Sequence, residues 1–112
     1  MKRIEAIVRP TKANDVYQAL TKVGHPGMMI TEIEGHGNQQ GVEKEVRGKT
    51  YKIPLLTKTR IELVVDDSEA DKIVNAILDS AFTGEVGDGK IFIHPIEEVV
   101  RVRTKERGKK AI

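Results

Sequence analysis

Two groups of residues in this chain could do chemistry, and both suit an anion. Gly84-Glu85-Val86-Gly87-Asp88-Gly89-Lys90 fits the G-x-x-x-x-G-K pattern of a phosphate loop. A true P-loop requires Ser or Thr at the next position and runs from a strand into a helix. Here Ile91 comes next, and the segment leaves a helical pattern to enter a strand pattern. The P-loop reading is excluded, but simpler physics survives. Glycines let backbone N–H groups approach an anion closely, and Lys90 adds positive charge. Taken alone, a plain tight turn accounts for these glycines at least as well.

The second group is Arg101-Val102-Arg103. In an extended segment side chains alternate, so the two arginines would share a face. Paired guanidinium forks suit a polyphosphate. They open a basic C-terminal segment with Lys105, Arg107, Lys109 and Lys110, opposed only by Glu106. Such a segment suggests an anionic ligand, and it equally describes a solvated tail. Little in Lys105–Lys110 can pack, so this end is expected to be mobile until a ligand orders it.

Nothing else points to catalysis. His25, His36 and His94 are scattered, and no serine–histidine–acid order is present. Asp66-Asp67 and Glu97-Glu98 sit at element ends, as solvated charges would. There is no cysteine, which excludes disulfides and thiolate metal sites. Aromatic residues are only 4%, which argues against stacking platforms for single-stranded nucleic acid. A binding protein is expected, not an enzyme, and not a nucleic-acid module.

The elements that must position these groups follow from hydrophobic period. Ile4, Ala6 and Val8 alternate with charged residues, as in a strand that Pro10 ends. Val16, Ala19, Leu20 and Val23 form one helical stripe, stopped by Gly24 and Pro26. Met28 to Glu34 reads as a second strand. From about Gly35 to Leu55 no period is usable, and a long irregular stretch predicts a protruding functional loop. Lys58 to Val65 resumes strand character. Ser68 and Asp71 resemble a capping box, ahead of a stripe through Ala70, Ile73, Val74, Ile77, Leu78 and Ala81. After the turn from Thr83 to Gly89, Lys90 to His94 reads as a fourth strand.

The order β-α-β-loop-β-α-β is the ferredoxin-like plan, an α+β fold with an antiparallel sheet and two helices on one face. Ile7 and Val64 fall on the other sheet face, which favours burial against further copies of the chain. With 112 residues the chain is expected to be one domain, and association would enlarge a modest core. The composition, 38% hydrophobic and 32% charged with a net charge of +2, is that of an ordinary globular protein. The N-terminus opens on an alternating pattern without a signal-peptide apolar run, so a cytoplasmic location is expected.

These residues resemble a known family. Met1 through Pro10, Thr83-Gly84 with Gly87 through Ile93, Val100 through Thr104, and the Ala111-Ile112 ending are similar to the PII nitrogen-regulatory signal proteins. Arg47-Gly48 with Tyr51 resembles that family's long T-loop, here at about 37–55, and the basic segment spans about 101–112. The resemblance covers essentially the whole chain. It implies a cytoplasmic homotrimer that binds ATP or ADP in clefts between subunits. It implies phosphate contacts from Gly87, Gly89, Lys90, Arg101 and Arg103, with Gly35, Gly37, Asn38, Gln39 and Asp88 completing the nucleotide site. Ile7 and Val64 would flank the adenine. Gln39 would help hold Mg2+ with ATP. Gln39, Gln40, Gly41, Lys58 and Gly87 would bind 2-oxoglutarate. The loop tip, with Arg47 and the modifiable Tyr51, would meet an ammonium transporter or enzymes and regulators of nitrogen metabolism. The membrane would be reached only through such a partner.

Some positions depart from the family pattern. Asn38 stands where an arginine for the terminal phosphate is usual, and Met29 where a threonine for the adenine is common. Gln40, Lys49-Thr50 and Pro54 change the charge of the T-loop. A second reading is therefore a PII-like trimeric sensor of another nucleotide or small anion, with an atypical partner.

Overall fold

The computed structural model describes residues 1–35, 42–46, 49–53 and 56–112, with side chains for 1–35 and 56–112. Strand β1 (Lys2–Val8) buries Ile4, Ala6 and Val8 on one face, as its alternation requires. Pro10 ends it and begins a short 3-10 turn, Pro10–Lys12, that leads into helix α1 (Ala13–Lys22). Val16 and Leu20 are the buried stripe of α1. Strand β2 (Met29–Gly35) follows.

The stretch expected to be one irregular loop carries two more strands. β3 (Val42–Val46) and β4 (Lys49–Ile53) pair antiparallel, with Val42 opposite Ile53 and Val46 opposite Lys49. Strand β5 (Leu56–Val65) starts two residues earlier than its alternation suggested. Helix α2 (Ala70–Ala81) and strand β6 (Gly89–Pro95) complete the chain's regular core.

The main sheet has the order β2-β5-β1-β6, and every neighbouring pair is antiparallel. This is the expected ferredoxin-like βαββαβ arrangement. One core lies between the sheet and the two helices, built from Ile4, Ala6, Val8, Val16, Leu20, Ile61, Leu63, Val65, Ile73 and Ile77. Each fully buried aliphatic side chain contributes roughly 1.5–3 kcal/mol relative to exposure. The amphipathic stripes of the helices therefore dictate which sheet face they cover.

Two local expectations are corrected. Ser68 and Asp71 form no capping box. A 3-10 turn, Asp67–Glu69, precedes α2, and Asp66 caps it by accepting from the Ser68 N–H at 3.2 Å and the Ser68 hydroxyl at 2.6 Å. The acidic pair is also engaged: Asp66 meets Lys109 at 3.0 Å, and Asp67 meets the N-terminal amine at 2.9 Å. These contacts hold both carboxyls below the usual carboxylate range, by the Ser68 hydroxyl for Asp66 and by the terminal amine for Asp67.

The C-terminal segment is folded, not loose. Val100 and Arg107 form an isolated antiparallel bridge. Between them the chain turns, with the Lys105 N–H donating to the Arg101 carbonyl at 2.8 Å and Lys105 in the left-handed region at φ 62°. A final 3-10 turn, Gly108–Ala111, buries Ala111. The apolar Ala111 and the Lys109–Asp66 pair supply the packing that the run of charges concealed. Among the described residues, no helix is long and apolar enough to cross a membrane.

Candidate functional site

The glycine-rich loop is built around one carboxylate. Helix α2 ends as Phe82 swings into extended backbone, and the chain returns through Thr83–Asp88 to Gly89 at the start of β6. Gly84, Gly87 and Gly89 have φ of 90°, 101° and 105°, a region that L side chains rarely adopt. Asp88 points into this turn. Its Oδ2 accepts from the Thr83 N–H at 2.8 Å and the Gly84 N–H at 2.9 Å. Its Oδ1 accepts from the Thr83 hydroxyl, which in turn accepts from the Glu85 N–H at 3.1 Å. The carboxyl is held well below the usual range, first by the Thr83 hydroxyl and N–H, then by the Gly84 N–H and Arg9.

Two cations tie the loop to the sheet. Arg9, just past the end of β1, puts Nε 3.1 Å from Asp88 Oδ1 and donates from Nη2 to the Val86 carbonyl at 2.7 Å. Lys58 on β5 donates from Nζ to the Gly87 carbonyl at 2.6 Å. Burial lowers the Lys58 pKa, and the like charge of Arg9 lowers it further, against a smaller opposing pull from Asp88. Gly87 and Lys58, both expected at a 2-oxoglutarate site, are therefore neighbours.

Strand register gathers further expected residues on the sheet face away from the helices. Ile7 lies opposite Lys90 on β6 and Arg60 on β5. Val64 shares that face two rows along, opposite Arg3 and beyond the Glu5–Glu62 row. Gly35 ends β2 opposite Leu56. Ile7 and Val64 are half-buried, as expected of apolar side chains on a mainly polar face. Arg60 Nε and His94 Nε2 are buried there without a hydrogen-bond partner, and Arg3 Nε, 3.3 Å from Glu62 Oε1, is not aligned for one. Buried polar atoms are normally paired.

The arginine pair is arranged differently from the extended reading. Arg101 enters a turn, so alternation no longer puts Arg101 and Arg103 side by side. Arg101 donates from Nη2 to the Ile112 carbonyl at 2.9 Å and pairs with Glu106 at 3.5 Å. Arg103 is exposed. The Asp88 carboxylate serves the loop internally, which leaves its backbone N–H as the group this expected nucleotide-site residue could lend to an anion. Gly37, Asn38, Gln39, Gln40, Gly41 and Arg47 lie outside the described residues, as does the Tyr51 side chain.

Sequence reasoning missed Arg9 and Thr83. Each had a signal: Arg9 is the last residue before the strand-ending Pro10, and Thr83 opens the glycine loop. On the helix side, α2 and β6 leave a concavity of about 310 Å³ lined by Val74, Leu78, Phe82, Ile91 and Ile93. Its walls are mainly apolar, and Asp88, Gly89 and Lys90 of the glycine loop line one end of it.

The family model described as nitrogen regulatory protein P-II matches residues 1–106. "Nitrogen regulatory protein P-II 2" of Methanothermobacter thermautotrophicus is 52% identical over all of this chain and 97% of its own length. The P-II protein of Nostoc punctiforme is 46% identical over the full length of both. A crystal structure of Arabidopsis thaliana PII bound to citrate superposes with a TM-score of 0.81 at 38% identity, covering 99% of this chain and 91% of that one. These relatives are named as regulatory proteins, not as enzymes.

Proposed function

This chain belongs to the nitrogen regulatory protein P-II family, and on that premise we propose that it is a cytoplasmic, trimeric sensor of ATP and ADP. The observation that carries the reading is the loop from Thr83 to Gly89. Gly84, Gly87 and Gly89 hold it in left-handed backbone, the Gly84 N–H turned in to Asp88, while Lys90 stands beside it opposite the aliphatic Ile7. Such a nest suits phosphate, and the neighbouring apolar side chain suits a base.

Trimer formation is supported by the sheet's open face. Arg60 Nε and His94 Nε2 have no partner within the described residues of one chain, and a facing copy could supply one. In the proposed assembly Arg101 and Arg103 of one subunit reach the phosphates held by the glycine loop of the next. Arg101 would exchange its Glu106 and Ile112 contacts for phosphate.

The reading extends to 2-oxoglutarate beside MgATP. Lys58, at the Gly87 carbonyl, offers an ammonium to a carboxylate. The citrate carried by the Arabidopsis relative supports polycarboxylate binding in this family. Among the described residues no group of three or more His, Cys, Asp or Glu could hold a metal ion. Mg2+ would therefore enter with the triphosphate, with Gln39 as its side-chain contact. Ligands then shift the T-loop between conformations by their difference in affinity for them. The loop in turn regulates an ammonium transporter, or enzymes or regulators of nitrogen metabolism.

Calorimetry with ATP, ADP and AMP, each with and without 2-oxoglutarate and Mg2+, tests this. Binding of 2-oxoglutarate only in the presence of MgATP is the expected result. Tight binding of a different nucleotide, with no 2-oxoglutarate effect, would favour the PII-like sensor of another ligand. No nucleotide binding at all would overturn both.

A further inference from the structure

We propose that the Asp88 carboxylate is the positioning group of the phosphate site: it sets the shape of the glycine loop through Thr83, Gly84 and Arg9 without itself touching the ligand. The inference rests on the nucleotide reading above and deepens it.

The place of Asp88 in the loop poses an electrostatic contradiction. A carboxylate beside a phosphate site should repel the ligand, because like charges a few ångströms apart disfavour each other. Yet Asp88 sits between Gly87 and Gly89, in the middle of the nest. The geometry removes the contradiction. Both carboxylate oxygens face into the turn, where the Thr83 hydroxyl, two backbone N–H groups and the Arg9 guanidinium surround them. The negative charge is matched by Arg9 and spread over donors that would otherwise compete for the ligand.

The same contacts fix the loop at both ends. Thr83 and Gly84 are its entry, and Asp88 is its exit, so one side chain closes a ring across the turn. Arg9 adds a second tie by holding the Val86 carbonyl while it pairs with Asp88. The Gly87 carbonyl is held by Lys58. The carbonyls at Val86 and Gly87 are drawn toward cations and the Thr83, Gly84 and Glu85 N–H groups are taken within the turn, so an anion would be served by the N–H groups from Val86 onward. Preorganised donors bind more tightly than donors that must first be ordered.

This gives a sign that simple charge does not. Asp88→Asn removes a negative charge next to the site, so electrostatics alone predicts tighter binding of ATP and ADP. Positioning predicts the reverse. The amide cannot accept at both ends of the ring, and Arg9 loses its counter-charge. We expect the dissociation constants for ATP and ADP to rise about tenfold or more, the size set by losing charge-assisted hydrogen bonds. Adenosine, which has no phosphate, should bind Asp88→Asn as it binds the parent protein.

The experiment is calorimetric titration of both proteins with ATP and ADP, and competition or NMR titration with adenosine, alongside thermal melting. Unchanged or tighter nucleotide binding by Asp88→Asn would overturn the proposal. So would an equal loss for adenosine, which marks general loosening of the fold. If Asp88→Asn does not fold, Thr83→Val decides the matter, because it removes one donor to Asp88 at nearly constant shape. Selective loss of phosphate-bearing ligands in that variant supports positioning, and unchanged affinity refutes it. A parent protein that binds no nucleotide would overturn the functional reading itself, an outcome distinct from a parent that binds and a variant that binds equally.

Discussion

A Cβ placed on Gly89 would stand 1.7 Å from the carbonyl oxygen of Ile7. The two residues belong to adjacent strands, and no rotamer change relieves the overlap, because both atoms are fixed by the backbone. Gly89 is also at φ 105°, so its conformation and its surroundings both exclude a side chain. Gly89→Ala is predicted to push the start of β6 away from β1. The cost should be roughly 3 kcal/mol or more, since both strain and a disrupted ladder contribute. Gly87→Ala, strained through its φ of 101°, should cost roughly 1–2 kcal/mol. Thermal melting of the two variants checks the order, and a Gly89→Ala protein as stable as its parent would contradict it.

The pH dependence of the loop follows from Asp88. Its folded pKa lies below the ordinary aspartate value because Thr83 and Gly84 donate to the ionised form. Between the folded and unfolded pKa values the unfolded chain binds more protons, so stability rises with pH there. The contribution is complete above the unfolded value, about 3.9, and is lost as pH falls through the folded one. The Thr83 and Gly84 amide resonances should therefore keep their positions on acidification to about pH 4 and shift only below it. In Asp88→Asn that acid transition should be missing. A transition in the parent near neutral pH would rule out the stated cause.

The cap of the second helix makes a third prediction. Asp66 alone accepts from the Ser68 N–H and hydroxyl and from Lys109. Asp66→Ala should lower the melting temperature more than Ser68→Ala, because it frees the helix entry and the C-terminal 3-10 turn together. Lys109→Ala should account for only the C-terminal part, seen as faster amide exchange at Ala111 with the start of α2 unchanged. Equal effects of Asp66→Ala and Ser68→Ala on melting would mean that Lys109 draws nothing from this contact.

How much of this was legible depended on whether the deciding contact was local. Ile4, Ala6 and Val8 declared β1 by alternation, and Ile73 and Ile77 declared α2 by helical period, because each element buries one face. Ile7 and Val64 could be assigned to the far sheet face for the same reason. The β3–β4 ribbon was hidden by its glycine-rich and charged surroundings. Val42 and Val46 are the only apolar residues of Val42-Glu43-Lys44-Glu45-Val46, so no apolar–polar alternation marks β3 in the sequence. The C-terminal turn was less readable. It depends on a bridge between Val100 and Arg107 and on a lysine at positive φ, neither of which has a short-range pattern. At the site, the glycines and Lys90 announced an anion nest, but Asp88 was read as a contact because its hydrogen bonds reach back across the turn to Thr83 and across the sheet to Arg9.

The two arginines near the C-terminus should separate by variant. Arg101 holds the turn together through Ile112 and Glu106, whereas Arg103 is exposed. Arg103→Ala should leave the melting temperature within about 1–2 degrees of the parent, as surface substitutions do, while weakening ATP and ADP binding. Arg101→Ala should lower both stability and affinity. Glu106→Gln tests the competition directly. It weakens the internal hold on the Arg101 guanidinium, so nucleotide should capture it more readily and bind more tightly. Titration calorimetry reads all three. If Arg103→Ala binds ATP as the parent does, Arg103 has no place at the phosphates. If Glu106→Gln binds more weakly, Glu106 is orienting Arg101 toward the ligand instead of withholding it.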